Sequence, residues 1–312
     1  MAPLPLVRIG TRGSPLALAQ TVETRDRLVA ALPELAADGA VEIVAIQTTG
    51  DRILDRPLAD VGGKGLFTKE IDRAMLDRRI DLAVHSMKDV PTWLPDGIVL
   101  PCVLPREEPW DALISPHARR LSDLPAGSVI GTASLRRQAQ ILSRHPGLRV
   151  ISFRGNVQTR LAKLERREAD ATILAVAGLR RLGMAAAGTP MDPDEMLPAV
   201  GQGAIGITCR TDDERARDWL SRIDDAASRI RVTAERAFLE VLDGSCRTPI
   251  AGLADIVAGN RLSLRGLVAR PDGSGRTETA LEGPMADAAR IGREAGEEIR
   301  SRVAPDVLAA AR

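Results

Sequence analysis

Between Asp81 and Pro91 a short apolar run breaks into Ser86, Lys88 and Asp89 and is then stopped by proline. Such a run reads as a buried strand that delivers polar groups at its C-terminal end. In open α/β sheets the ligand crevice lies outside the carboxyl ends of the strands, so a lysine and a carboxylate there stand where chemistry is done. Taken alone, the segment also fits a helix cap or a surface turn with an incidental ion pair.

The neighbouring segments favour a sheet. Val7 to Gly10 reads as strand, Ser14 and Pro15 as the N-cap and first residue of a helix over Leu16 to Leu32, and Val41 to Gln47 as a second strand. Thr48 to Gly65 is a long polar connection without periodicity, the kind that serves as a lid or binding loop or else is disordered. Leu66 to Arg79 resumes helix. A second set begins at Asp111 to Ser115, with strands at Ser128 to Gly131, Arg149 to Phe153 and Ala171 to Val176, and helices starting near Ser134 and Asn156. After Thr233 the pattern changes to a helix ending at Leu242, a polar turn from Asp243 to Pro249, a hairpin around Gly259 and Asn260, and a closing helix from about Met285.

With 312 residues, more than one core is required. The expected fold is α/β: two doubly wound lobes around a cleft, lobe 1 from residues 1–104 with 204–222 and lobe 2 from 105–203, followed by a C-terminal α+β domain at 223–312.

Charge is unevenly spread behind a net value of +1. Only four of the 43 basic residues are lysines, and Lys64, Lys69 and Lys88 cluster. Between Thr132 and Arg167, nine cations (Arg136, Arg137, Arg144, Arg149, Arg154, Arg160, Lys163, Arg166 and Arg167) face one acid, Glu165, an excess of +8. Arg136 and Arg137, and then Arg154 and Arg160, fall where a predicted strand turns into a helix. Free N–H groups, the positive end of the helix dipole and arginine forks together make an anion site there. Arg166 and Arg167, late in their helix, read as a solvated face. Neither lobe carries a phosphate-loop motif, and no His/Cys cluster suggests a metal. His85, inside an apolar strand, reads as a satisfied core group.

The absence of tyrosine, with three phenylalanines and three tryptophans, speaks against stacking on single-stranded nucleic acid. Three cysteines, an odd count, and no charged-then-apolar leader at Met1 suggest a reducing cytoplasm; no apolar run reaches about 18 residues, so no membrane span is expected. Cys102 and Cys209 sit in apolar runs as small core residues. Cys246 occupies a polar turn beside Arg247, a setting that favours thiolate, and by itself it reads equally as inert or as nucleophilic or modified.

Arg8–Gln20, Gly62–Phe67, Ala83–Pro91, Gly131–Gln138, Arg154–Asn156, Leu197–Gly203 and Cys246 in its loop resemble, in order and over nearly the whole chain, the porphobilinogen deaminases, also called hydroxymethylbilane synthases. The resemblance implies lobes like those of type II periplasmic binding proteins and a dipyrromethane cofactor held by a thioether to Cys246. It also implies stepwise head-to-tail condensation of four porphobilinogen molecules with release of ammonia, giving hydroxymethylbilane for tetrapyrrole biosynthesis. Carried over residue by residue, Asp89 is the catalytic carboxylate. Lys88, Arg136, Arg137, Thr132 and Ser134, with Asp89, hold the cofactor, and Arg12, Ser14, Arg154, Arg160, Arg181, Lys64 and Gln202 hold the substrate. The partners implied are porphobilinogen and the growing pyrrole chain, for a cytoplasmic monomer without nucleic acid, membrane or metal. Two departures stand out: Ser245 replaces the glycine common before the cofactor cysteine, and Asp60 stands where some members carry lysine. The alternative is a non-catalytic two-lobed cytoplasmic binder or sensor of small polycarboxylates, which would need neither Cys246 as a modified thiol nor Asp89 amid cations.

Overall fold

The computed structural model describes residues 5–52, 65–242, 248–304 and 307–308. These fall into two compact units, one formed by the described residues up to 52, 65–107 and 204–229, the other by 108–203 and those from 230 onward.

In the first unit, β1 (Val7–Arg12), β2 (Val41–Ile46), β3 (Leu82–Ser86) and β4 (Ile98–Val103) are joined by Ile205–Arg210, the tenth strand in chain order and labelled β10. The sheet order is β2-β1-β3-β10-β4. β1 runs parallel to both β2 and β3, so Arg12, the residues after Ile46 and the turn after Ser86 emerge at one edge. β10 runs antiparallel to β3 and β4. Ser14 caps the helix Pro15–Ala31 as expected, accepting the Ala17 N–H at 3.3 Å with proline at the first helical position. That helix and Glu214–Ser221 cover one face, where Leu28, Leu82, Ile205, Ile207 and Leu220 are fully buried. The helix Lys69–Leu76 covers the other through Ile71 and Met75. Each such side chain contributes about 2 kcal/mol of burial energy.

Two local expectations are corrected here. The helix placed over Leu66 to Arg79 is only Lys69–Leu76, because Arg78 takes a left-handed φ of 56° and turns the chain out. The polar connection beginning at Thr48 opens with a helical turn, Thr49–Arg52, pinned by Glu70, whose carboxylate accepts the Thr49 N–H at 3.1 Å.

In the second unit, β5 (Asp111–Ile114), β6 (Val129–Gly131), β7 (Arg149–Ile151), β8 (Ala171–Ala175) and β9 (Thr189–Pro190) form a sheet of order β7-β6-β8-β5-β9. Three parallel strands are again followed by an antiparallel one, β5, and an edge strand. The repeated order is that of two open α/β lobes. β5 and β10 are each the first strand after the chain passes from one unit to the other.

The helices Leu135–Arg144 and Val157–Glu165 start after the caps Ser134 and Asn156, at the carboxyl ends of β6 and β7. The antiparallel sheet β11 (Ile250–Val257), β12 (Arg261–Val268) and β13 (Thr277–Pro284) packs against the helices Ala226–Val241 and Ala288–Arg302 around Phe238, Leu262, Leu264 and Ile299. Gly259 and Asn260 close the β11–β12 hairpin at φ 73° and 56°, conformations that suit glycine and asparagine. The closing helix starts at Ala288, after a 3₁₀ turn at Met285–Asp287. Ala139 and Leu197 of the lobe meet Ala251, Leu267 and Ala269 of this sheet in one apolar cluster.

Candidate active site

In the first unit the parallel strand ends assemble a charged cluster. Arg12, the last residue of β1, donates from Nε to Asp51 at 3.1 Å and lies 3.4 Å, through Nη1, from Asp89 Oδ2. Its guanidinium stacks 4.0 Å from the Phe67 ring centroid. Lys88 and Asp89 occupy the 3₁₀ turn Met87–Asp89 directly after β3, both half-buried. Burial opposes the charge on Arg12, but the hydrogen bond to Asp51 and the Asp89 and Asp51 charges outweigh it and raise its pKa. Burial likewise works against the Asp51 carboxylate, and hydrogen bonds from Arg12 and Thr48 overcome it to hold that carboxyl below its usual range. Behind the turn, Gln20 donates to Ser86 Oγ at 2.9 Å. His85 is buried with Nε2 3.2 Å from Thr208 Oγ1; desolvation, then the Arg12 charge, push it down to about 4, so it is the satisfied core group expected.

In the second unit, Arg136 and Arg137 lie in the first turn after Ser134 and are 6% and 5% exposed. Both reach Asp111, which begins β5 and is fully buried. Arg136 Nη2 stands 2.8 Å from Oδ2 and Arg137 Nη2 2.6 Å from Oδ1. Their remaining anchors are backbone carbonyls, Leu197 for Arg136 at 2.7 Å and Ile173 for Arg137 at 2.8 Å. Burial alone would raise the Asp111 pKa; Arg136 and Arg137 outweigh it and hold the carboxyl far below the ordinary range. Arg160 donates to the Gly155 carbonyl at 2.9 Å, and burial, then the Arg137 and Arg154 charges, push it down to about 10. Arg137 and Arg154 are thus each near enough to repel Arg160.

Thr132 accepts the Ser134 N–H at 3.2 Å, and Ser134 accepts that of Arg137 at 3.4 Å. Each hydroxyl still carries an O–H with which to donate to a carboxylate. Arg181 donates to the Gly203 carbonyl at 3.1 Å. Gln202, 1% exposed, donates from Nε2 to Asp111 Oδ1 at 2.9 Å and to the Pro109 carbonyl at 2.6 Å.

Within the first unit, then, Arg12, Lys88 and Asp89 share one strand edge, with Ser14 at the adjoining helix cap. Within the second, Thr132, Ser134, Arg136, Arg137, Arg154 and Arg160 surround two neighbouring strand-to-helix turns. Lys64 and Cys246, with Asp60 and Ser245, lie outside the described residues. Asp51 and Asp111 escaped sequence reasoning: the first sits in what reads as the start of a loop, and the second is separated from Arg137 by 26 positions. The one available signal was the unbalanced +8 itself, since buried arginines need a carboxylate from elsewhere.

Among the described residues no helix is long and apolar enough to cross a membrane, and no group of three or more His, Cys, Asp and Glu could hold a metal ion. Strand ends that concentrate arginine around buried turns define an α/β protein with a strongly basic site. The chain belongs to the porphobilinogen deaminase family: residues 7–218 match the family's dipyrromethane cofactor-binding domain and 229–301 its C-terminal domain. It is 58% identical to a chloroplastic porphobilinogen deaminase of Oryza sativa subsp. japonica over 97% of this chain and 86% of that one. The same identity, 58%, holds against porphobilinogen deaminase of Paracoccus denitrificans, over 96% and 95% of the two chains. Among solved structures the methionine-binding protein MetQ covers 72% of this chain and 91% of its own at 11% identity and a TM-score of 0.43; the repeated strand order carries the lobe architecture independently of that likeness. Family membership favours the enzyme over a non-catalytic binder, with porphobilinogen and the pyrrole chain as its ligands.

Proposed function

We propose that the chain condenses four porphobilinogen molecules head to tail, releasing ammonia, on a dipyrromethane joined through Cys246, and that hydroxymethylbilane is the product. The observation that carries this reading is the excess of positive charge in the second unit, where the Arg137 and Arg154 charges, after burial, depress Arg160. Carboxylates relieve such repulsion, and guanidinium forks take them bidentately. The donor set of the second unit, Arg136, Arg137, Thr132 and Ser134, therefore fits a group bearing acetate and propionate arms; by the family resemblance Lys88 would add charge for the cofactor and Asp89 would accept a pyrrole N–H. When bound, the dipyrromethane supplies a pyrrole ring with a free α-carbon on which the chain can grow.

Arg12, Ser14, Lys64, Arg154, Arg160, Arg181 and Gln202 serve the substrate side, the arginines and lysine by charge, Ser14 and Gln202 by orientation. Asp89 accepts the pyrrole N–H of porphobilinogen, stabilising the cation left as the amine departs, and moves a proton between its carboxylate oxygen and the leaving nitrogen. Arg12, 3.4 Å away and fixed by Asp51 and Phe67, keeps that carboxylate aimed. We further read the protein as a cytoplasmic monomer; the two buried free thiols, Cys102 and Cys209, accord with a reducing compartment.

The test is intact mass. Purified protein is expected to exceed its sequence mass by one dipyrromethane located on the Cys246 peptide, and Cys246→Ala protein to lose both adduct and turnover. Fully active protein with unmodified Cys246 would overturn the proposal.

A further inference from the structure

We propose that Asp111 is a positioning residue, a buried carboxylate, aligned by Gln202, that fixes the forks of Arg136 and Arg137 for incoming carboxylates. This rests on the reading of those arginines as anion-binding. Asp111 is fully buried at the first position of β5, yet with two cations against it its charge is more than matched and does not neutralise the site. Two guanidiniums against one carboxylate leave a net positive charge.

The geometry is that of a mount. Arg136 is held by Asp111 and the Leu197 carbonyl, and Arg137 by Asp111 through both Nε, at 3.2 Å, and Nη2, and by the Ile173 carbonyl. A guanidinium has five N–H donors, so hydrogen bonds to Asp111 and Ile173 lock the plane of Arg137, while an ion pair with Asp111 and one hydrogen bond to Leu197 anchor Arg136, leaving donors on both for a ligand. Asp111 is itself held, since Gln202 Nε2 bridges Oδ1 and the Pro109 carbonyl. Gln202 stands in the segment Leu197–Gly203, which is fastened at one end by Gln140 to Leu197 N at 2.8 Å and near the other by Glu235 to Gly201 N at 2.6 Å. A fork mounted beforehand loses little freedom on binding, and the affinity gained is the ordering cost avoided.

The proposal reverses the sign that charge alone would give. Asp111→Asn adds one net positive charge to the site, and simple attraction then tightens anion binding; if the carboxylate is a mount, binding weakens. The probe is porphobilinogen, titrated calorimetrically into full-length Cys246→Ala protein at several salt concentrations, with melting curves on the same samples. Expected are about tenfold weaker binding for Asp111→Asn with a steeper salt dependence, which general loss of structure would not produce, and about threefold weaker binding for Gln202→Leu, which keeps every charge. Where Asp111→Asn does not fold, Gln202→Leu decides. Binding at or above parent affinity in either folded variant, while Arg136→Leu and Arg137→Leu lose it, overturns the positioning role and leaves the anion site standing. Parent affinity in both arginine variants overturns the anion site itself.

Discussion

Replacing Asp89 by asparagine separates the chemical role of this residue from its structural one. The amide keeps the size of the carboxylate but neither balances a cation nor exchanges a proton at neutral pH. The ion pair that the substitution removes is weak: Asp89 is 27% exposed, and its oxygen stands 3.4 Å from an Arg12 that retains Asp51 as a closer partner. Partly solvated pairs contribute at most about 1 kcal/mol, so the melting temperature is expected to fall by no more than roughly 2–4 °C. Removal of a proton-transferring group costs about 10²–10⁴ in rate, several times the stability effect when expressed as energy. Turnover of porphobilinogen, melting temperature and intact mass are to be measured on one preparation, the mass showing that the cofactor is still loaded. Turnover within a few-fold of the parent, alongside a lowered melting temperature, would refute the catalytic assignment and leave Asp89 as a partner of Arg12.

Two further outcomes follow from buried titrating groups. Burial pushes the Cys102 thiol up to about 12 and the Cys209 thiol up to about 11, so neither should be alkylated by iodoacetamide in folded protein, and Cys102→Ala and Cys209→Ala should keep turnover. His85 is held neutral down to about 4, whereas an unfolded histidine takes its proton near 6.5; the unfolded state binds more protons in that window, so stability falls on acidification from about 6.5 to 4, by on the order of 3 kcal/mol. Asp72, raised to about 6 by burial, acts in the opposite sense, destabilising the fold as pH rises from about 4 through 6. Denaturant unfolding across pH 4.5–8 should accordingly show a flatter acid limb in His85→Gln and, in Asp72→Asn, higher stability at pH 8.

The sequence by itself determined what depends on near neighbours. Ser14 with Pro15, Ser134 and Asn156 announce helix starts, because capping is settled within three residues of the cap. The break after His85 put Lys88 and Asp89 past the end of a strand, and Gly259 with Asn260 marked a hairpin that only left-handed residues close comfortably. The core positions of Cys102, Cys209 and His85 were readable from their apolar runs. The arginine excess was countable, and its placement at strand-to-helix turns followed from the same local signals.

Tertiary structure alone decided the rest. β5 and β10 look like ordinary strands, and nothing local tells that they run against their neighbours, since direction is set by where the chain re-enters each sheet. The β13 strand, whose only large apolar residue is Leu281, takes its place from pairing with β12 rather than from its own pattern. Asp51 became the partner of Arg12 across 39 positions, and Asp111 that of Gln202 across 91. A carboxylate carries no mark in sequence of which cation it will meet; burial makes an unpaired charge intolerable, but only the folded chain brings the partner within hydrogen-bonding distance.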